Sequence, residues 1–210
     1  MATTRTKKTS KEQAPTLRDY VEAFCDAPLT RKAVMDLSSL LAKVVGAMIQ
    51  QKLPGVPVEV GQKSFGGSVR RHHLDAWVAN SHLGLQIGID VKGLNSPSSV
   101  GKNWNNRVGD LHELATNHHQ SSPKAVMGGV LVIPFEGLGE STLHNIERAM
   151  LNMGGRRGTA NAQNLFEQAC LIVISKEQRL VLPDIPKKGG PLRIEAFAKA
   201  MADIFTQRWQ

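Results

Sequence analysis

Two strand-like segments joined by a short polar turn constrain this chain most. Residues 85–92, Leu-Gln-Ile-Gly-Ile-Asp-Val-Lys, alternate with period two. Leu85, Ile87, Ile89 and Val91 fall on one face, and Gln86, Gly88, Asp90 and Lys92 on the other. Residues 74–79 also read as a strand, and Asn80-Ser81-His82-Leu83-Gly84 between them is rich in turn formers. A hairpin centred on the His82–Leu83 bond sets Asp75 opposite Asp90 and leaves Lys92 on the same face two residues on. Two opposed carboxylates repel and destabilise an ordinary sheet. A divalent cation between them reverses that sign, so the pair predicts a metal site with an ammonium beside it. The Asp90-Val91-Lys92 triplet alone carries little, because a chain of this length holds roughly one or two D/E-x-K triplets by chance. The register and the flanking elements give it weight.

At 210 residues the chain is expected to form one domain, over residues 16–210, with a sizeable core. A formal net charge of +8 favours a polyanionic partner, since each phosphate neutralised releases a counterion. Cys25 and Cys170 share no short-spacing motif, which excludes a disulfide scaffold or zinc knuckle and fits reduced, buried thiols in a cytoplasmic setting. The longest apolar stretch, 125–134, is too short to span a bilayer. Residues 1–15 read as a disordered basic arm with no apolar signal-peptide core.

Along the chain, helices are expected at 16–24 and 31–53, the latter from Val34, Leu37, Leu41, Val44 or Val45 and Met48 at helical spacing. A strand at 56–64 precedes the hairpin. Residues 95–101 read as a loop and 103–119 as a helix, with Trp104, Val108, Leu111 and Ala115 on its apolar stripe and Asn103, Asn106, Asp110 and Glu113 on its polar one. The run 125–134 reads as a buried strand. A helix at 141–151, a short helix at 161–168, strands at 171–175 and 178–182, and a helix at 194–208 complete the pattern. The expected fold class is α/β, a mixed central sheet flanked by helices.

The order of helix, three-strand meander, helix and strand is similar to the core of PD-(D/E)xK nucleases, with Asp75 at the acid of the second strand and Asp90-x-Lys92 in the third. Gly101-Lys102-Asn103-Trp104-Asn105-Asn106-Arg107 also resembles the Gly-x-Asn-aromatic-Asn-Asn-Arg stretch of Xho-type type II restriction endonucleases. The likeness covers about residues 31–135. Leu74 stands where proline is common before the first acid, and Asp90 where glutamate is common. The resemblance implies a restriction-endonuclease-like core and a Mg²⁺-dependent endonuclease of double-stranded DNA, acting as a homodimer. A cognate DNA methyltransferase would be expected in the same cell. A repair nuclease or junction resolvase of the same core, or a non-catalytic nucleic-acid-binding protein, are the alternatives. No Gln-x-x-x-Tyr follows Lys92, and no phosphate-binding G-x-x-x-x-G-K-[ST] loop is present.

In that reading Asp75, Asp90 and the carbonyl of Val91 hold Mg²⁺, and Lys92 stabilises the attacking water and the developing charge. Asp36, Glu59 and Glu113 are further acids, Asp36 and Glu113 expected on solvated helix faces and Glu59 at a strand edge. Asn105, Asn106 and Arg107 are expected to open a helix, whose N-terminus favours phosphate. Arg107 would grip a phosphate and the asparagines could read bases. Arg70-Arg71-His72-His73 enters the hairpin, and Arg156-Arg157 and Lys187-Lys188 lie in glycine-rich loops. All are candidate DNA contacts. Asn117-His118-His119 reads as a fraying helix end.

Overall fold

The computed structural model describes residues 13–160 and 162–210; the expected arm therefore lies, over residues 1–12, outside the described residues. The elements run α1 (Leu17–Asp26), α2 (Arg31–Lys52), β1 (Glu59–Gly66), β2 (Arg71–Asn80), β3 (Gly84–Gly93), α3 (Pro97–Ser121), β4 (Val126–Pro134), α4 (Glu140–Met153), β5 (Gln168–Ser175), β6 (Leu180–Val181) and α5 (Ile194–Trp209). The sheet has six strands in chain order, β1 to β6. Strands β1, β2 and β3 form an antiparallel meander, β3, β4 and β5 are parallel, and β6 returns antiparallel at the edge. The fold is α/β with a mixed sheet and helices on both faces.

The apolar patterns explain the layers. On one face Leu37, Leu41, Val45 and Ile49 of α2 pack with α1, α5 and the sheet residues Ala76, Ile87, Ile89 and Val91. On the other, Leu111, Leu114 and Ala115 of α3 and Ile146 and Met150 of α4 cover Leu74, Met127, Leu131 and Leu171. Strand β4 feeds both cores and is buried throughout, as a continuous apolar run requires. By length and composition α2 could cross a membrane, but its apolar face is occupied by the sheet and α5. Thr16 caps α1 through a reciprocal capping box with Asp19.

Three departures from the sequence pattern matter. Helix α3 starts at Pro97 instead of 103, because proline suits the first helical position, where no N–H bond is required. Residues 162–167, expected in a short helix, form none; they carry Phe166 into the second core and Glu167 into a buried ion network. The hairpin also gains a bulge. Ala76 pairs with Ile89 and Val78 with Ile87, as a turn centred on His82–Leu83 demands, but the register shifts between Val78 and Ala79, so that Ala79 meets Leu85. One consequence is that Leu85 packs into the opposite core from Ile87, Ile89 and Val91.

Candidate active site

Asp75 sits where β2 loses its regular alternation. Ala76 and Val78 face one core, whereas Leu74 and Trp77 face the other, so the period of two breaks at the acid. Strand β1 bulges at the same level. Its register shifts between Val60, opposite Ala76, and Lys63, opposite Leu74, which leaves Gly61 and Gln62 across from Asp75. Gly61 has φ +125°, a conformation that side chains rarely adopt. Bulges of this kind bend a strand and re-aim a side chain. On the other side, the ladder with β3 ends at Ala76–Ile89. Beyond that point the Val91 N–H donates to Asp75 Oδ2 at 2.9 Å. The carboxylate thus takes over a backbone donor and is fixed beside the next acid.

Asp90 is 2% exposed and has no hydrogen-bond partner on Oδ2. The Lys92 ammonium comes within 2.7 Å of that oxygen as an ion pair, but off the directions a hydrogen bond requires. Burial pushes the Asp90 carboxyl up to about 7; Lys92 opposes the rise and the Asp75 charge adds to it. An acceptor this buried and this poorly satisfied is costly, and invites a cation.

Around these groups lies an open cleft of about 400 Å³. Val34 and Ser38 of α2 and Gln62 of β1 form one side, and Arg107, Asp110 and Leu114 of α3 another. Arg70, His72 and His73 line it on the approach to Asp75, and Val91 and Gly93 flank the Asp90–Lys92 pair. Both arginines of the cleft are paired with carboxylates on α3: Arg70 with Glu113 at 2.8 Å and Arg107 with Asp110 at 2.9 Å. His72 accepts the Arg70 Nε–H at 3.2 Å, and burial together with the Arg70 charge holds it below the usual histidine value.

The cleft therefore brings together Asp75, Asp90, Val91, Lys92, Arg70 and Arg107. It does not collect the other candidates. Arg71 spends its guanidinium on Ser64, at 3.0 Å to Oγ and 3.1 Å to the carbonyl. Asn105 and Asn106 are exposed outside the cleft, and with Arg107 they lie about two turns inside α3, so the helix N-terminus does not act on them. Arg156 is 1% exposed and donates to Glu167 and to the carbonyls of Pro123 and Thr159, which removes it as a DNA contact. Arg157 remains exposed but turns one nitrogen toward the Arg156 and Glu167 carbonyls, away from the cleft. Asp36 and Glu59 are exposed and outside the cleft, and Glu113 serves Arg70. Asn117, His118 and His119 are buried instead of frayed, at 3%, 0% and 0% exposure. Asn117 could have been found by extending the polar stripe of Asp110 and Glu113 one turn further.

Among the described residues no three His, Cys, Asp or Glu side chains form a ligand cluster. Of the three carboxylates lining the cleft, Asp110 is paired with Arg107, which leaves Asp75 and Asp90 as a set that suits Mg²⁺, since that ion keeps several waters and is held by one or two carboxylates. Compared with protein-family models, with curated proteins and with solved structures, the chain shows no match.

Proposed function

We propose that this chain is a Mg²⁺-dependent endonuclease of double-stranded DNA with a restriction-endonuclease-like core, acting as a type II restriction enzyme in the cytoplasm and as a homodimer. One observation carries the reading: Asp90 Oδ2, which makes no hydrogen bond and has only the Lys92 ion pair, lies buried in the cleft that also holds Asp75. The succession α2, β1–β3, α3, β4 and the two free cysteines are compatible with it. Asp75 and Asp90 would hold the ion, which on binding acidifies a water and neutralises phosphate charge. Lys92 would stabilise charge building on the phosphorus, and Arg70 and Arg107 would exchange their α3 carboxylates for phosphates. Exposed pairs of that kind are worth only about 0–1 kcal/mol, so the exchange costs little.

Plasmid of known sequence, incubated with the protein and Mg²⁺ or with chelator, tests the proposal. Discrete, Mg²⁺-dependent bands support a restriction enzyme, and smearing a non-specific nuclease. Selective cutting of four-way junctions points to a resolvase, whereas binding without cleavage under any condition leaves a nucleic-acid-binding protein.

A further inference from the structure

The turn before β2 is held to α3 chiefly at Asn117. Asn117 Oδ1 accepts the Val69 N–H at 2.7 Å, the Arg70 N–H at 3.3 Å and the Ser68 hydroxyl at 3.3 Å. Its Nδ2 donates to the Arg70 carbonyl at 2.7 Å. The main chain joins in, since the Asn117 carbonyl takes the Ser68 N–H at 3.0 Å. Gln120, one turn on, meets the Ser68 hydroxyl as well. Gly67 belongs to the same fit: a Cβ there would stand 1.9 Å from Asn117 Nδ2. A side chain 3% exposed thus satisfies both peptide groups of Arg70. The turn also closes on itself, the Gly67 N–H donating to the Arg70 carbonyl at 3.1 Å, so the clamp adds a second element to a turn that is already closed.

What the clamp presents is a cation. Arg70 is 59% exposed at its side chain, lines the cleft with Asp75, Asp90 and Lys92, and is steered from the flank by Glu113 and His72. A long exposed arginine loses much rotamer freedom when it grips a ligand. Fixing its backbone and giving it a partner near the working position lowers that loss, the general gain of preorganisation. Asn117 stands four positions after Glu113, so the two project from neighbouring turns of α3, one holding the head of Arg70 and the other its backbone.

We propose that Asn117 is the positioning residue for Arg70, setting it as the anionic-phosphate grip of the cleft. Glu113 is the stand-in that phosphate displaces. The inference rests on the nuclease reading only for the identity of the phosphate, which would be that of DNA; the grip itself would hold any accessible phosphoryl group.

The test compares wild type, Arg70→Ala, Asn117→Ala and the double variant, folded protein being checked by thermal unfolding. Two probes are titrated calorimetrically, duplex DNA in Ca²⁺ and inorganic pyrophosphate. Arg70→Ala should weaken DNA binding several-fold and lower the salt slope by about 0.9. Asn117→Ala should reproduce both changes, and the double variant should bind no more weakly than either single one. Asn117→Asp, which keeps one acceptor but turns a second oxygen onto the Arg70 carbonyl, should show the same loss as Asn117→Ala, while Gly67→Ala should mimic it from the opposite side of the contact. These two carry the comparison if Asn117→Ala does not fold. Additive losses in the double variant, or unchanged affinity and slope in Asn117→Ala, overturn the positioning role, as does a wild type that binds neither probe. Pyrophosphate binding that depends on Arg70 and Asn117, in a protein that never cuts DNA, supports the grip and removes the nuclease reading. Normal cutting by Arg70→Ala with unchanged affinity does the reverse.

Discussion

Asp90 and Glu167 are both buried acids, at 2% and 0% exposure, and their surroundings are opposite. Glu167 is saturated: Arg156 and Arg208 donate to Oε1 at 2.5 and 2.7 Å, and His119 and the Met127 N–H meet Oε2 at 3.1 and 2.7 Å. Burial would raise its carboxyl, but these partners, His119 foremost, bring it below the usual glutamate value. Asp90 has an ammonium off its hydrogen-bond directions, a second carboxylate nearby and an oxygen without a partner, and its carboxyl is raised. One acid is completed by the protein and locks α3, the 153–158 loop, the start of β5 and α5 together. The other is left incomplete at an open cleft. A buried charge answered entirely from within serves the fold, whereas one answered only by a neighbouring ammonium at the rim of a cleft is available to a ligand.

Breaking the completed acid should produce the largest effect. Glu167→Ala removes the carboxylate that Arg156, Arg208 and His119 share inside the protein. Removing one partner of a buried ion pair costs about 3–5 kcal/mol, which denaturant unfolding would read directly. A loss below about 1 kcal/mol would mean that water replaces the carboxylate, and the contrast with Asp90 would shrink.

Next come the cleft substitutions, whose effect should appear in rate and not in stability. Lys92→Ala removes a group used as charge builds on the phosphorus, so single-turnover cleavage should fall on the order of a hundredfold or more, about 2.7 kcal/mol, with DNA affinity nearly kept. Asp90→Asn should abolish Mg²⁺-dependent cleavage while its thermal midpoint in chelator holds or rises. Cleavage at the wild-type rate by Asp90→Asn removes the metal-site reading of this cleft, and by Lys92→Ala makes the lysine structural.

A pH series separates the two acids further. Asp90 is raised from 3.8 to about 7, so the folded protein binds the extra proton. Its contribution is fully present below the unfolded value and is lost as pH rises through the folded one. Glu167 is lowered, so its contribution is present above the unfolded value of 4.5 and is lost as pH falls through the folded one. His118, buried with no hydrogen bond on either ring nitrogen and lowered from 6.5 to about 4, likewise stabilises less as pH falls from 6.5 toward 4. In chelator, the stability of Asp90→Asn relative to wild type should therefore increase between pH 4 and 7. A constant difference would mean that Asp90 keeps an ordinary value in the folded protein.

The same contrast governs what the sequence could disclose. Asp90 and Lys92 could be placed on one face of β3 because period two needs no knowledge of the rest of the chain. Asp75 comes beside them in a stretch of β2 where that period breaks. The pairing of Val78 with Ile87 is reached only through a bulge, since the turn itself closes at Asn80–Gly84. The bulge that turns Leu85 around was not legible, because no residue in 79–86 demands it. Glu167 was hidden for another reason. Its partners come from α3, the 156 loop and α5, and a charge network of that span has no local spacing. Arg156 was misread as a phosphate contact on the strength of flanking glycines, although its neighbour in space is an acid eleven residues on. Local pattern reports faces; it does not report which charges meet.

The smallest effect separates two arginines that look alike in sequence. Arg107 is 44% exposed at its side chain, lines the cleft and pairs with Asp110. Arg156 is enclosed with Glu167. Arg107→Ala should leave the unfolding midpoint nearly unchanged, because an exposed i,i+3 pair contributes little. DNA binding should weaken alike on all sequences, with the salt slope lower by about 0.9, because a phosphate contact carries charge but no base information. Arg156→Ala should show the reverse, a lowered midpoint and an unchanged slope at temperatures where the protein remains folded. If Arg107→Ala instead relaxes discrimination at one base pair and keeps the slope, Arg107 reads a base. If Arg156→Ala lowers the slope without lowering the midpoint, the enclosed arginine is reaching DNA, and the division between completed and open charges fails.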